Sequence, residues 1–472
     1  MGFNEHFTNV DPFYFDAKPV VKTLPKSVWE TYSAFANTFG GTIVLGVSKK
    51  RVTGEYVVTG LDNPEKLVRD FWNIVKNEDR VSSDILKNED VKIEVLDGKS
   101  IIEINVPRAD RHFCPIYIDN SVYSGTFRRG NEGDRHCTTF EVTEMIRDSK
   151  DDIIDLEVVE SMRLDVFNKS TVDIYRAHLK AQTSNHPWVD LPYEKFLSVI
   201  GAAVLRTNGI YNPTKAGLLM FGNEYSIVKV FPSFCLEYYE GDIENGEISD
   251  KLLSSSGEWS GNIFDYYLLI ADRMMSGPKE LVISRGKVGN SEINVAMDHV
   301  LLNALVNSDY SGKGGVVIEK TKDSVRISEA GLLRTPLERL KTKGNKEPRN
   351  KAVARMLNLI GLMDGNERFL IDLLRAWKKN GFPEPVIEEK IDPPQTNILM
   401  MLDYPSIVIS SERGMSAQIL RFIKEDNRIT AAKISSKLGM SKRHVERGLA
   451  ELKKKGKIER VGNGRSGYWI IV

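Results

Sequence analysis

The chain has 472 residues, too many for one typical core, so its length predicts about three domains. At 41% hydrophobic and 28% charged residues it has the make-up of a soluble globular protein, and no apolar run approaches the roughly 20 residues that a membrane-spanning helix needs. The formal net charge is zero, yet Ser416–Val472 holds fourteen Lys/Arg against five Asp/Glu, so a segment at +9 sits on a body at −9. That asymmetry is expected of a protein that presents one end to nucleic acid, and a solvated lysine-rich face is the plainer alternative.

Three cysteines, Cys114, Cys137 and Cys235, stand far apart and in no paired metal-ligand spacing, which predicts reduced thiols in a cytoplasmic protein. The opening MGFNEHFTNVDPF has no basic region followed by an apolar one, so no leader and no membrane partner is expected. In DPFYFDAK, strand periodicity puts Asp16 and Lys18 on one face, while Asp11 precedes a proline in the approach loop. Two carboxylates and a lysine can hold one divalent metal and neutralise a phosphate; alternatively, Asp16 and Lys18 pair and Asp11 caps a turn.

SAFANTFGGTIVLGV, from Ser33 to Val47, joins a helix to a strand. Val28, Tyr32 and Phe35/Ala36 recur at helical spacing, Phe39-Gly40-Gly41 supplies the turn, and Thr42–Val47 is a short β-branched core strand. Ser48-Lys49-Lys50-Arg51 follows, a cluster that repels a cation and suits a phosphate backbone, with Arg128 and Arg129 as companions from YSGTFRRGNEG. Phe140–Met162 and Ser170–Gln182 have helical patterns, and TSNHPWVDLP breaks them into a connector. Beyond it the pattern predicts a strand at Phe231–Tyr239, helices at Ile263–Met275 and Glu292–Asn307, and two strands around a tight turn at Lys322-Asp323. PEPVIEEKIDPP and the apolar Thr396–Ser410 close this part, and Ser411-Glu412-Arg413-Gly414 is a short linker.

From Met415 the spacing predicts a winged helix-turn-helix. Ile419, Phe422 and Ile423 form the inner face of a first helix, Thr430 caps a second, AAKISSKLG, and Ser441 caps a third. In the third helix Val445, Leu449 and Leu452 fall at i, i+4 and i+7, so Lys442, Arg443, Glu446 and Arg447 point away from the core. A helix so placed meets base edges with its first residues, and Lys453, Lys454 and Lys455 stand where phosphates would pass. Lys457–Val461, the turn Gly462-Asn463-Gly464 and Tyr468–Val472 make a hairpin wing with Arg465 beside its tip. DNA is the partner this basic module predicts, and a winged helix used for protein contacts is the alternative.

AFANTFGGTIVLGV, the Asp11, Asp16, Lys18 frame, and KSIIEINVPRADRHFCPIYI followed by YSGTFRRGNEG together resemble the Schlafen AlbA-type domain, over residues 1–145. NPTKAGLLMFG, NALVNSDYS, ISEAGLL and PRNKAVARMLNLIGLMDG resemble the divergent ATPase-like module found behind such domains in bacterial transcriptional regulators, assigned here to residues 210–410. Residues 146–209 then form a helical connector and 415–472 the winged helix. The implied fold class is α+β and multidomain, with an α/β AlbA-type domain, an α/β ATPase-like module and a C-terminal winged helix.

In the related histidine-kinase-type ATPase fold a helix glutamate activates water, an asparagine four residues on holds magnesium, and an acidic residue in a glycine-containing loop reads adenine. Asn303 fits the asparagine, His299 stands in the glutamate's place, and Glu329 with Gly331 loosely resembles the adenine-reading loop. The resemblance implies a degenerate nucleotide site that keeps the scaffold without hydrolysing ATP. Schlafen relatives include RNA-cleaving enzymes whose carboxylates hold a divalent metal. Two alternatives follow for the first domain: a surface that binds RNA or DNA, or a defence-related nuclease using magnesium or manganese at Asp11, Asp16 and Lys18. Against the nuclease stand aspartates where the family usually has glutamates, and the basic Lys49-Lys50-Arg51 where an acid would complete the site. The expectation is a cytoplasmic, homo-oligomeric, DNA-binding protein of the transcriptional-regulator type.

Overall fold

The computed structural model describes residues 10–20, 22–50, 53–130, 132–243, 245–275, 292–344, 347–363, 368–402, 419–420, 422–423, 426–438, 442–454, 457–461 and 468–471. The fold is mixed α+β. Its first body contains β1 (Phe15–Lys18), α1 (Lys26–Ala36), β2 (Gly41–Leu45), β3 (Val47–Lys49), β4 (Tyr56–Val58), α2 (Pro64–Val75), β5 (Val91–Leu96), β6 (Lys99–Val106), β7 (Phe127–Gly130), β8 (Gly133–His136) and α3 (Thr139–Ser149). One sheet runs β1-β2-β6-β5, with β1 and β2 parallel and the other neighbours antiparallel.

Helix α1 is buried along most of its length, and Val28, Trp29, Tyr32 and Phe35 share a core with Ile43, Leu45, Ile102 and Ile104 of the sheet. The turn after it needs glycine. Gly40 has φ +79°, and a Cβ there would lie 2.8 Å from the Val106 carbonyl oxygen. The strand expected over Thr42–Val47 is cut at Gly46, whose φ of +88° turns the chain, so β2 ends at Leu45 and Val47 opens a separate β3–β4 hairpin. Helix α3 starts on a capping box between Thr138 and Glu141 and stops at Ser149, well short of the expected Met162.

The second body contains α4 (Lys169–Gln182), α5 (Tyr193–Val199), β9 (Ala203–Leu205), β10 (Tyr211–Pro213), α6 (Lys215–Phe221), α7 (Glu224–Ile227), β11 (Leu236–Asp242), β12 (Glu247–Leu253), α8 (Ile263–Met275) and α9 (Glu292–Asn307). It continues with β13 (Val316–Lys320), β14 (Ser324–Ala330), α10 (Leu337–Lys343), α11 (Lys351–Leu359), α12 (Phe369–Asn380), β15 (Val386–Ile391) and β16 (Pro394–Met401). Its sheet runs β12-β11-β13-β14-β16-β15, with β11 and β13 parallel and the other neighbours antiparallel. Helix α9 is apolar nearly all round, and Ala296, Met297, Val300, Leu301, Leu302, Ala304, Leu305 and Val306 are all buried, as befits a helix at the centre of a core.

Residues 146–209, read from the sequence as a helical connector, contribute to the second core. Val172, Tyr175, Leu179, Phe196 and Leu197 belong to the same core as Leu236, Val300, Ile318 and Ile398. Tyr175 pins α4 there, because its hydroxyl donates to the Met356 carbonyl at 2.7 Å and its ring packs edge-on against Phe221 and Phe264. The third body comprises α13 (Ala431–Leu438), α14 (Lys442–Lys454), β17 (Ile458–Val461) and β18 (Tyr468–Ile471), with the two strands antiparallel. Among the described residues no helix is long and apolar enough to cross a membrane.

Candidate nucleic-acid interface

Among the described residues, the third body is built on the buried side chains Ile419, Ile423, Ile429, Ile434, Val445, Leu449, Leu452, Ile458 and Trp469. Thr430 sits at the start of α13, where its hydroxyl accepts from the Lys433 amide at 3.3 Å. Trp469 ties the hairpin to the helices: its indole donates to the Ile429 carbonyl at 3.2 Å, and the Arg460 guanidinium lies 5.0 Å from its ring centre. With Val445, Leu449 and Leu452 turned inward, α14 exposes Glu446, Arg447 and Lys453. The side chains of Lys442, Arg443 and Lys454 lie outside the described residues, as do Lys455, Arg465 and the turn Gly462-Asn463-Gly464 altogether.

In the first body, β3 and β4 form a finger. Lys49 lies opposite Tyr56, with its ammonium 5.4 Å from the ring centre, and Lys50 reaches Glu55 at 3.0 Å. The hydrogen bond from Lys50 holds the Glu55 carboxyl below its ordinary range. Both lysines are exposed, and Arg51 lies outside the described residues.

Arg128 and Arg129 are not beside them at the surface; each is only 6% exposed. Arg128 pairs with Glu141 at 3.2 Å. Arg129 pairs with Asp134 at 2.7 Å and Asp16 at 3.2 Å, donates to the Pro12 and Phe15 carbonyls at 2.7 and 2.9 Å, and lies over the Phe35 ring. Strand β7 packs against α1, so internal carboxylates and carbonyls take up guanidiniums that would otherwise face solvent.

Asp16 belongs to this network, with Lys18 at 3.2 Å and the Thr31 hydroxyl at 3.3 Å. Asp11 is exposed and accepts from the Phe13 amide at 2.9 Å, which closes a turn. Asp16 and Asp134 share Arg129, and Lys18 also contacts Asp16, so both carboxylates are already paired with internal cations. Among the described residues, His112, Asp151 and Glu347 have ligand atoms close enough to share a metal, and that group contains neither Asp11 nor Asp16. Arg111 bonds to both of its carboxylates, placing a positive charge where the ion would sit.

In the second body the Asn303 side-chain oxygen accepts from the Asn307 amide at 2.8 Å. Glu329 is 4% exposed, burial pushes its carboxyl up to about 8, and one of its oxygens has no partner. Gly331, at φ +96°, passes so close to Arg349 and Asp309 that a Cβ would lie 3.1 Å from an atom of each. His299 is half-buried beside Asp298. The cavity between Asn303, Asn307, Glu329, Arg334, Arg349 and Phe369 is about 10 Å³, against the roughly 300–1,000 Å³ of small-molecule sites.

The arginines that join the first two bodies have no signature in the sequence. Arg111 donates to the Asp148 and Lys150 carbonyls at 2.9 and 3.0 Å, and Arg334 donates to the Asp148 carbonyl at 3.2 Å. Arg349 pairs with the Asp148 carboxylate and donates to the Asn307 and Leu332 carbonyls, each at 3.0 Å. Arg147 reaches Asp309 at 2.5 Å, and Arg108 reaches Glu389 at 2.7 Å. The carbonyl end of α3, where the helix dipole gathers negative charge, is therefore gripped by guanidiniums from both bodies. Burial opposes the Asp148 charge, but Arg349 and Arg147 prevail and hold its carboxyl below the ordinary range. Single arginines in PRADRHF and EPRNKA show no periodicity; their setting beside proline and acids was the one available hint.

Three family models match the chain: Schlafen, AlbA_2 over residues 15–138, a domain of unknown function (DUF8451) over 143–237, and an HTH domain over 416–468. The DUF8451 match runs across residue 209, as does the shared core. No curated protein matches the chain. It is similar to the crystal structure of the DIP2311 protein from Corynebacterium diphtheriae, at 14% identity over 97% of this chain and 95% of that one, with a TM-score of 0.40. It is also similar to the N-terminal domain of a RecG-related protein from Nitrosomonas europaea, at 27% identity over 29% of this chain and 90% of that one, with a TM-score of 0.22. Residues 15–138 are a Schlafen AlbA_2 domain and residues 416–468 an HTH domain, placed toward opposite ends of one α+β chain.

Proposed function

We propose that the chain is a DNA-binding protein of the transcriptional-regulator type, in which the winged helix reads duplex DNA and the β3–β4 finger adds a second nucleic-acid contact. One observation carries this: α14 buries Val445, Leu449 and Leu452 and leaves Glu446, Arg447 and Lys453 outside, within a segment of net charge +9. The apolar stripe fixes the helix on its core and turns the remaining face outward, where Arg447 and Lys453 can meet base edges and phosphates. The matches to an AlbA_2 and an HTH domain support a DNA-binding, regulator-like character. The network around Asp16 supports binding over cleavage, since Arg129, shared with Asp134, and Lys18 already pair with the carboxylate that a nuclease would offer to its metal.

The test is footprinting of the full chain on fragments of its own genome. Protection of a discrete site, lost in a Lys442→Ala, Arg443→Ala, Arg447→Ala triple variant that melts like wild type, is the expected result. Equal protection by the triple variant would remove α14 from the interface.

A further inference from the structure

The first two bodies meet across a cleft of about 90 Å³. It has room for several waters, each of which needs about 10–15 Å³. Arg108, Arg111 and Arg128 line it from the AlbA_2 side, and Arg334 and Arg349 from the other. Four of these five have carboxylate partners: Arg108 has Glu389, Arg111 has Asp151 and Glu347, Arg128 has Glu141, and Arg349 has Asp148. Arg334 has none among the described residues. It donates to the Asp148 and Pro348 carbonyls at 3.2 and 3.3 Å, and its Nε is buried with no partner. The Nε of Arg128 is also buried and unpartnered.

Burial, together with neighbouring Arg349 and Arg111, pushes Arg334 down to about 10, the mark of a cation whose charge is not balanced by its surroundings. Asp148 and Asp309 also line the cleft, but Arg349 and Arg147 engage them. Buried donors without acceptors are costly, and a guanidinium fork matches the oxygens of a phosphate two at a time.

We infer that this cleft binds a phosphate group, with Arg334 as its principal donor and Arg128 at its side, so that the ligand bridges the AlbA_2 domain and the second body. The source is either free phosphate or a small phosphorylated molecule, and both sources present the same oxygens to the same fork. Glu144 stands on the wall of the cleft with Asp309 beside it, and once deprotonated, above about pH 7, it opposes an incoming anion.

The experiment is isothermal titration of the full chain with inorganic phosphate and, separately, with pyrophosphate, at a fixed pH above 7, where Glu144 is ionised, and at fixed chloride. Wild type, Arg334→Gln, Arg334→Lys and Glu144→Gln are compared after their folding has been checked by circular dichroism. Expected are saturable one-site binding of at least one anion by wild type, a loss of about tenfold or more in Arg334→Gln, and tighter binding in Glu144→Gln. Arg334→Lys keeps the charge without the fork and should fall between wild type and Arg334→Gln. Tighter binding of pyrophosphate than phosphate would identify a phosphorylated molecule as the ligand, and the reverse order would identify free phosphate. No binding by wild type, or equal affinity in wild type and Arg334→Gln, would overturn the assignment. Loss of binding in Lys49→Ala, Lys50→Ala instead would put the anion on the β3–β4 finger and also overturn it.

Discussion

Asp16 takes contacts from Arg129, Lys18 and Thr31 at once, so a carboxylate in a nuclease-like frame is tied into the interior of its own domain. Asp16→Asn should destabilise the fold by about 1–3 kcal/mol, the usual cost of breaking charge-assisted bonds, and leave nucleic-acid affinity equal or slightly higher. Labelled transfer RNA, single-stranded RNA and DNA incubated with magnesium or manganese should stay intact with wild type. Cleavage by wild type that both Asp16→Asn and Asp11→Asn abolish would contradict this. The pairing of Asp16 with Lys18 was legible in the sequence because side chains alternate along a strand. The burial of Arg128 and Arg129 was not, because Glu141, Asp134 and Phe35 come from three other segments. A second residue-scale expectation concerns pH. Burial raises the Glu329 and Glu144 carboxyls to about 8 and about 7, above an ordinary value of 4.5. The folded chain therefore holds protons that the unfolded chain releases. This stabilisation is fully present below the ordinary value and is lost as pH rises through the raised ones, by at most about 1.4 kcal/mol per pH unit for each group. Thermal melts of Glu329→Gln should fall less steeply with pH than those of wild type across that window, and parallel profiles would contradict the proton assignment.

Helix α14 shows how much one element's pattern can disclose. Val445, Leu449 and Leu452 were assigned to the core from spacing, and they are 0%, 6% and 1% exposed. Leu449→Ala should cost about 2–5 kcal/mol and unfold the winged helix, whereas Arg447→Ala should leave the melt unchanged and cost about 1–3 kcal/mol of DNA affinity if it reads a base. Melting curves and binding isotherms on the same pair of variants separate the two effects. Helix α9 was equally legible as a helix, but its chemistry depended on neighbours. The side-chain oxygen of Asn303 is taken by Asn307, and Arg334 and Arg349 crowd the cavity beside them. No magnesium-dependent ATP turnover above buffer background is expected, and turnover that disappears in Asn303→Ala would contradict it. The ends of β2 and α3 were misplaced for different reasons: Gly46 adopts a left-handed turn, a local effect, whereas the last carbonyls of α3 are held by arginines distant in sequence.

At the scale of the whole molecule, the HTH end was legible from its own hydrophobic period and turn chemistry, and the AlbA_2 end from motifs such as AFANTFGGTIVLGV that resemble the family. The 146–209 segment was not, since its helices are core only by virtue of contacts such as Tyr175 with Met356, 181 residues apart. The same holds for the junction between the first two bodies, where Arg349 and Asp148 meet across 201 residues. Arg349→Ala leaves the Asp148 carboxylate without its nearest cation and should cost about 3–5 kcal/mol. Calorimetry should then separate the AlbA_2 transition from that of the second body, and a single unshifted transition would show that the arginines do not hold the bodies together. The central claim is that the cationic face of α14 engages DNA phosphates and bases, and the salt dependence of affinity tests it most directly. Measured by fluorescence anisotropy on a duplex of the protected site, log affinity should fall steeply with log salt for the full chain. In the Lys442→Ala, Arg443→Ala, Arg447→Ala variant the affinity should drop and the slope should become shallower by about 1 for each phosphate contact removed. Identical slopes and affinities in the two proteins would contradict the claim.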